Sequence, residues 1–238
     1  MSSLRARHPA DDRLRISDWH GDPTVAQVVP LAGRPLSLST VQRCCDRLAG
    51  GGYREVLTAA LAPAEQAPFL ECGFAVHERL HLLARSLADP VPEGPPAELR
   101  RARRADRPRV LEVDQAAFSP FWHLDEAGLD DAVAATPATR FRVAEIDGTV
   151  QGFAVTGRAA GRGYLQRLAV DPATQRRGLG AALVLDGLRW LRRRGADEVL
   201  VNTQVGNDGA VQLYQRLGFV LRPGGLAVLR RTLGSVGR

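Results

Sequence analysis

The sequence predicts an α/β protein in which a mixed central sheet is flanked by helices. Residues that alternate between apolar and polar predict strands, and apolar residues at helical spacing predict helices, in succession along the chain. A glycine-containing turn at residues 175–181 joins a predicted strand, 164–170, to a predicted helix, 179–194. The strand, helix and strand predicted within 53–87 return in the same order within 195–233. These features favour one complete α/β domain preceded by a partial one.

Composition divides the 238 residues into segments. Residues 1–22 are polar and predict a frayed N-terminus. Residues 23–88 predict the partial α/β domain, and residues 89–97, rich in proline, predict a linker. Residues 98–233 hold the complete domain, and 234–238 form a short tail.

The predicted elements follow from spacing and turn residues. In the partial domain, an apolar helical pattern ends at three consecutive glycines, 50–52, and two extended runs follow with a short helix between them. In the complete domain, Asp147-Gly148 predicts a hairpin turn. The predicted elements are helix 38–48, strand 53–61, helix 64–72, an extended run to 87, helices 110–118 and 125–135, and hairpin strands 140–145 and 150–157.

The charge balance bears on possible partners. The 32 basic and 26 acidic residues give a net charge of +6, which suits nucleic acid or an anionic cofactor. The arginines are dispersed, and only three tryptophans and three tyrosines are available to stack on bases, so we expect no nucleic-acid partner. One arginine-rich run precedes helix 110–118, and we interpret it as a charged edge strand. Its members are Arg100, Arg101, Arg103, Arg104, Arg107 and Arg109.

The cysteines and the hydropathy pattern bear on location. Cys44, Cys45 and Cys72 are odd in number and fit buried thiols in a reducing compartment better than a disulfide framework. No apolar run approaches the length of a membrane span, and the chain does not open on a signal sequence. We therefore expect a cytoplasmic protein with no membrane partner.

The turn at 175–181 has the chemistry of a phosphate-binding site. Glycines without Cβ at a helix N-terminus let an anion approach backbone N–H groups at the positive end of the helix dipole. A Walker A loop needs a lysine, and the chain contains none. A dinucleotide fingerprint needs glycine or alanine where Leu183 stands, and an acidic residue where residues 202–204 have none.

Three motifs remain to be explained: LAVDP before the turn, QRRGLGAAL within it, and NDGAVQLYQRLGF after the next strand. Together and in this order they resemble the GNAT acetyltransferases over residues 98–233. The resemblance implies the GNAT fold and acetyl-CoA as co-substrate, with no metal. It also implies direct transfer of the acetyl group to a primary amine of an unidentified small molecule or peptide.

The resemblance assigns roles to particular residues. Backbone groups of strand 168–170 would bind pantetheine and the thioester, the turn would bind the diphosphate, and Tyr214 would protonate the leaving thiolate. Structural alternatives are a solvated surface for the arginines of the turn, a helix cap for Asn207 and a packing role for Tyr214. The expected cofactor-binding residues are Leu168, Ala169, Val170, Gln175, Arg176, Arg177, Gly178, Leu179, Gly180, Ala181 and Asn207.

The acceptor side of the site is less defined. Phe118, Phe121 and Trp122 either line the acceptor cleft or belong to the core. Their region resembles the ribosomal-protein N-terminal acetyltransferases, but the strand glutamate of those enzymes falls at Asn202, which cannot accept a proton. Candidate bases are Glu145, Asp125, Glu126, His123 or a chain of water molecules.

The order shared by the two domains extends to individual residues. Residues 52–57 correspond to 195–200, Gly73-Phe74 to Gly218-Phe219, and 80–87 to 226–233. We therefore interpret residues 23–88 as a degenerate, partial GNAT copy. Pro35 stands in its equivalent of the phosphate-binding turn and lacks an N–H, and no tyrosine precedes Gly73. The first copy is expected to pack but not to bind acetyl-CoA.

These observations predict an acetyl-CoA-dependent N-acetyltransferase whose partners are acetyl-CoA and an amine acceptor. We expect either a monomer with an intramolecular pseudo-dimer or a homodimer. An acyl-CoA-binding sensor without catalysis is an alternative, favoured by the missing base. A basic nucleic-acid-binding protein is a further alternative, favoured only by the net charge of +6.

Overall fold

Residues 13–31 and 36–234 are described by the structure, a computed structural model. The elements up to the second domain are β1 (Leu14–Trp19), β2 (Asp22–Pro30), α1 (Leu38–Gly50), β3 (Glu55–Thr58), α2 (Pro63–Glu71) and β4 (Ala75–Ser86). Those that follow are β5 (Glu98–Arg101), α3 (Arg107–Ala117), α4 (Glu126–Ala134), β6 (Ala138–Ile146), β7 (Thr149–Ala159), β8 (Arg162–Val170), α5 (Leu179–Arg193), β9 (Glu198–Gln204), α6 (Asp208–Arg216) and β10 (Val220–Thr232). The predicted α/β class, with a mixed sheet and flanking helices, is confirmed.

The chain forms two compact units that do not follow sequence order. The first unit is Met1–His81 together with Pro223–Arg238, and the second unit is Leu82–Arg222. The division therefore falls within β4 and within β10. Among the described residues, no helix is both long and apolar enough to cross a bilayer.

In the first unit the strands lie in the order β1-β2-β3-β10-β4. β1 and β2 form an antiparallel hairpin, β2 runs parallel to β3, and β10 runs antiparallel to β3. The expectation of a frayed N-terminus was wrong for residues 13–22, because His20 and Gly21 adopt positive φ and turn the chain between two strands. Residues 1–12 and Pro35 lie outside the described part of the chain.

The helices of the first unit agree with the predicted ones. Ser37 caps α1 by accepting a hydrogen bond from the Thr40 N–H at 3.2 Å, and Cys44, Cys45 and Leu48 bury its apolar face. This core also contains Phe69 of α2 and Leu229 of β10. All three cysteines are buried, and none forms a disulfide.

In the second unit the strands lie in the order β4-β9-β8-β7-β6-β5. Asp147 and Gly148 both have positive φ and form the predicted hairpin turn between β6 and β7. β5 is the predicted edge strand, but it ends at Arg101. The remaining arginines of the run lie beyond the strand, and Arg107 and Arg109 belong to the first turn of α3.

Helices cover both faces of this sheet. Leu183, Leu188 and Leu191 of α5 pack on one face with Leu83 of β4. Val110 and Val113 of α3 and Leu129 of α4 pack on the other face. The strands of the sheet are therefore buried on both sides, which explains their long apolar runs.

One irregularity in β8 determines the shape of the site. Val155 of β7 pairs with Arg167, but the next residue, Thr156, pairs with Leu165, so Gln166 is the extra residue of a β-bulge. The parallel pairing of β8 with β9 covers only three residue pairs and ends at Tyr164 and Leu200. Beyond the bulge, β8 stays paired to β7 as far as Val170, while the register with β9 is not continued. The sheet is therefore open between the carboxyl ends of β8 and β9.

Candidate active site

The turn before α5 leaves the start of the helix free for an anion. Gly178 is the N-cap with φ of +86°, it provides no side-chain cap, and the first turn contains no acidic residue. The Ala182 N–H is the first to bond within the helix, to the Gly178 carbonyl at 2.9 Å. The N–H groups of the first turn are thus the unpaired donors of a helix N-terminus, as a phosphate requires.

The turn is fixed in relation to the end of β8. The Gln175 side chain donates a hydrogen bond to the Val170 carbonyl at 3.2 Å. Arg176 adopts a positive φ of +61°, which is uncommon for a residue with a Cβ. Arg176 and Arg177 are exposed, so both guanidinium groups are available to an anionic ligand.

Three elements of the expected site meet at Gly180. A Cβ at this position would lie 3.4 Å from Leu213 Cδ2 of α6 and 3.7 Å from Val170 Cγ2 of β8. The strand expected to bind the thioester, the turn expected to bind the diphosphate and the helix that carries Tyr214 are therefore adjacent. Sequence spacing alone does not give this proximity, because Gly180 and Leu213 are 33 residues apart.

Tyr214 is almost entirely buried, with 5% of its surface exposed. Its ring centroid lies 5.6 Å from that of Phe219. Burial raises the pKa of the Tyr214 phenol above its usual value, so the hydroxyl stays protonated at neutral pH. A protonated phenol suits a proton donor and does not suit a base.

Asn207 has the structural role that the sequence left open. It is the N-cap of α6, and its side-chain oxygen accepts a hydrogen bond from the Ala210 N–H at 3.2 Å. A contact of Asn207 with the cofactor stays a prediction.

The acceptor-side aromatic residues lie on a short loop between α3 and α4, and we call residues 118–123 the aromatic loop. The guanidinium carbon of Arg167 lies 3.6 Å from the centroid of the Phe118 ring. Phe121 and Trp122 pack edge to face with centroids 5.0 Å apart. All three aromatic side chains are partly exposed, so none is a fully buried core residue.

Two residues that sequence reasoning missed connect this loop to β8. Arg167 makes two hydrogen bonds of 2.7 Å to Asp114, whose side chain is completely buried on α3. Removing one partner of a buried pair costs about 3–5 kcal/mol, because the other charge is left unpaired. A signal for this pair exists in the sequence: Asp114 follows Val110 and Val113 at helical spacing, which places a carboxylate on the apolar face of α3.

The structure gives contacts for all four candidate bases. Each already has a partner in the scaffold, as follows. Glu145 pairs with Arg100 at 2.5 Å, Asp125 caps the Gly128 N–H at 2.6 Å, Glu126 pairs with Arg107 at 2.9 Å, and a His123 ring nitrogen lies 3.0 Å from the Phe118 carbonyl oxygen. A base supplied by water remains the open alternative.

The described residues contain no group of three or more His, Cys, Asp or Glu side chains that could hold a metal ion. A strand that leaves its neighbour beside an uncapped helix N-terminus is the arrangement expected of an acyltransferase that takes its acyl group from a CoA thioester.

Comparisons with known proteins agree with this class. The model of the acetyltransferase (GNAT) family matches residues 107–219. A mycothiol acetyltransferase of Nocardia farcinica is 35% identical over 225 residues, which are 84% of this chain and 72% of the relative. A mycothiol acetyltransferase of Mycolicibacterium gilvum is 36% identical over 183 residues, 68% of this chain and 57% of the relative. The chain belongs to the GNAT acetyltransferase family, and it is an acetyl-CoA-dependent N-acetyltransferase.

Solved structures of low sequence identity share the fold. A GCN5-related N-acetyltransferase from Sphaerobacter thermophilus superposes with a TM-score of 0.63 at 18% identity, covering 93% of this chain and 77% of that one. A tandem GNAT protein from the clavulanic acid biosynthesis pathway superposes with a TM-score of 0.68 at 14% identity, covering 93% and 78%.

Proposed function

We propose that this enzyme acetylates a primary amine of a small molecule at the opening between β8 and β9. The proposal is supported by the proximity of Val170, Gly180 and Leu213. These residues belong to the strand expected to bind the thioester, the turn expected to bind the diphosphate and the helix that carries Tyr214. Acetyl-CoA would lie with its diphosphate on the first turn of α5 and its pantetheine along the unpaired edge of β8. Backbone groups of residues 168–170 would hold the thioester carbonyl.

The expected reaction is a direct transfer. The lone pair of the amine attacks the thioester carbon, the carbon–nitrogen bond forms and the carbon–sulfur bond breaks. The ammonium proton leaves to water, and Tyr214 donates its proton to the departing thiolate. Preorganised backbone donors on β8 would stabilise the oxyanion that develops on the thioester oxygen.

The acceptor class is suggested by the relatives. Both are named mycothiol acetyltransferases, and identity near 35% over most of this chain favours a small-molecule acceptor of the same kind. The chain spans 72% and 57% of the length of those relatives. Asn202, which is exposed on β9, does not support a protein N-terminus as acceptor.

The proposed activity is tested with isotope-labelled acetyl-CoA and a panel of amines, followed by mass spectrometry. The panel includes mycothiol without its acetyl group, simple amino sugars, amino acid amides and short peptides. We expect the mass increase of one acetyl group on a small-molecule amine, and no increase with a Gly180→Glu variant. Acetylation of peptides alone would refute the small-molecule acceptor, and no product from any amine would refute the transfer.

We also infer that residues 23–88 are a partial GNAT copy that does not bind acetyl-CoA. Support comes from contacts at corresponding positions of the two regions. The Leu233 N–H donates to the Arg54 carbonyl at 2.7 Å, and the Leu87 N–H donates to the Asp197 carbonyl at 2.8 Å. The first pair joins the end of β10 to the start of β3, and the second pair joins the end of β4 to the start of β9. Calorimetry should therefore give one acetyl-CoA site per chain, and two sites would contradict the inference.

A further inference from the structure

The bulge at Gln166 decides which face of the sheet each residue of β8 occupies. In a regular strand Leu165 and Arg167 point to the same face. With the extra residue between them, Leu165 packs with α5 while Arg167 reaches Asp114 on α3, on the opposite face. Leu168 and Ala169 continue the alternation, against the α5 cluster and the α3 cluster respectively. Arg167 therefore reaches α3 because of the bulge, which lies two residues beyond the last β8–β9 pair.

Arg167 contacts the aromatic loop in addition to α3. It donates to the Trp122 carbonyl at 2.6 Å, and its guanidinium lies over the Phe118 ring at 3.6 Å. Asp114, which holds Arg167 in place, accepts a hydrogen bond from the Leu124 N–H at 2.8 Å. Arg167 thus contacts the aromatic loop at Phe118 and at Trp122. Asp114 contacts Leu124, the residue directly after the loop.

The position of Arg167 in the sequence gives these contacts their significance. It directly precedes Leu168, the first of the three residues whose backbone is expected to hold the thioester. The planar fork of arginine holds two partners in fixed directions, which lysine does not reproduce. The side chain of Arg167 therefore joins the aromatic loop directly to the strand expected to hold the acetyl donor.

We propose that Arg167 is a positioning residue that holds the aromatic loop against the thioester strand and so sets the affinity for the amine acceptor. This inference rests on the proposed function of the same site. The role of Arg167 is distinct from cofactor binding, because none of its contacts is to the turn before α5.

The second unit contains a matched pair for comparison. Arg140 of β6 makes two hydrogen bonds, of 2.7 and 2.9 Å, to Asp186 of α5. This pair has the same bidentate geometry, is also largely buried and does not touch the aromatic loop, although Asp186 also lies 3.4 Å from Arg142. If Arg167 only stabilises the fold, substitution of either arginine will lower stability and leave the KM for the amine unchanged.

The test compares Arg167→Lys with Arg140→Lys in the full chain. For Arg167→Lys we expect the KM for the amine to rise about tenfold or more, since small misplacements of reactants cost large factors. Acetyl-CoA affinity, measured by calorimetry, should stay within about twofold, and Arg140→Lys should leave both values unchanged. Equal changes in the two variants, or an unchanged amine KM in Arg167→Lys, would overturn the proposal.

A second measurement does not depend on knowing the acceptor. In the acetyl-CoA complex, hydrogen exchange of the aromatic-loop amides should be faster in Arg167→Lys than in the native protein, with α5 unchanged. Phe118→Leu keeps the ion pair with Asp114 and folds without an unpaired charge, and it should raise exchange in the same loop to a smaller extent. Unchanged exchange in both variants would refute the positioning role. Absence of acetyl transfer in the native protein would instead refute the proposed function.

Discussion

Two helix-to-strand segments, one at residues 69–74 and one at 214–219, have the same local architecture and differ in one hydroxyl group. In the first, the Phe74 N–H donates to the Phe69 carbonyl at 3.0 Å; in the second, the Phe219 N–H donates to the Tyr214 carbonyl at 3.0 Å. The aromatic rings of each pair pack with centroids 5.3 and 5.6 Å apart. Phe69 therefore occupies the position of Tyr214 without its phenol oxygen.

The correspondence continues in the arginines that follow. Arg231 of β10 donates to the Cys72 sulfur at 3.0 Å, and Arg85 of β4 donates to the Leu217 carbonyl. Cys72 and Leu217 each directly precede the glycine that ends the helix. Packing of this segment thus does not require the tyrosine. A residue that differs between two matched positions, such as Tyr214, is therefore a candidate for a functional role.

The N-terminal cap of the helix before each of these segments also differs between the two regions. α1 is capped by Ser37, whose side chain accepts a hydrogen bond from the Thr40 N–H. In contrast, α5 begins at Gly178 without a side-chain cap. A capped N-terminus has one donor fewer for an anion.

Deletion of residues 1–95 should abolish activity and cause aggregation. The deletion removes β4, the neighbour of β9, and with it Leu83 and Leu87 from the core of the second unit. Each buried leucine contributes about 2–5 kcal/mol, and an uncovered strand edge promotes association. Size-exclusion chromatography and thermal denaturation would measure the effect. A shorter deletion of residues 1–73, which keeps β4, is the control and should still bind acetyl-CoA. A monomeric, active protein after the longer deletion would show that β4 is dispensable.

Gly180→Glu should lower acetyl-CoA affinity by about 100-fold or more, because a carboxylate beside the expected diphosphate costs several kcal/mol. The Cβ also approaches Leu213 to 3.4 Å. Calorimetry measures the affinity. Ser39→Glu, in the exposed first turn of α1, is the matched control and should leave it unchanged. Equal losses in both variants would mean that the two helix starts do not differ in function.

Tyr214→Phe should lower kcat by about 10²–10⁴-fold with little change in acetyl-CoA affinity, as for loss of a general acid. Phe69→Tyr makes the reverse change at the corresponding position. It should leave kcat unchanged and destabilise the protein by about 1–3 kcal/mol, because Phe69 is fully buried and the new hydroxyl lacks a partner. Steady-state kinetics and urea denaturation separate the two effects. Native turnover in Tyr214→Phe would assign the tyrosine a packing role only.

Cys45 should make stability depend on alkaline pH. Burial raises the pKa of the Cys45 thiol from 9.0 to about 12, so the folded protein binds this proton more tightly than the unfolded chain. This contribution to stability is fully present below about pH 9 and is lost as the pH rises towards 12. Urea denaturation at pH 7 and at pH 10 should show a larger decrease for the native protein than for Cys45→Ala. An identical decrease in both would contradict the raised pKa.

The sequence predicted the turn, its helix and the order of elements in the second unit, because glycine spacing and helical periodicity are local signals. It did not predict the bulge at Gln166, since a single extra residue in a strand is decided by pairing with the neighbouring strand. It missed the strands β1 and β2 because their outward residues are polar, although Gly21 marks the turn between them. In the sequence, Asp114 could be recognised only as an acidic residue on the apolar face of α3.

The division within β10 has a consequence for biosynthesis. The second unit, Leu82–Arg222, is one uninterrupted stretch, whereas the first unit also needs Pro223–Arg238 from the other end of the chain. Domains usually fold in the order in which they leave the ribosome. Here the first unit needs residues from both sides of the second unit in the sequence, so the unit that carries the proposed active site is the first to have all its residues.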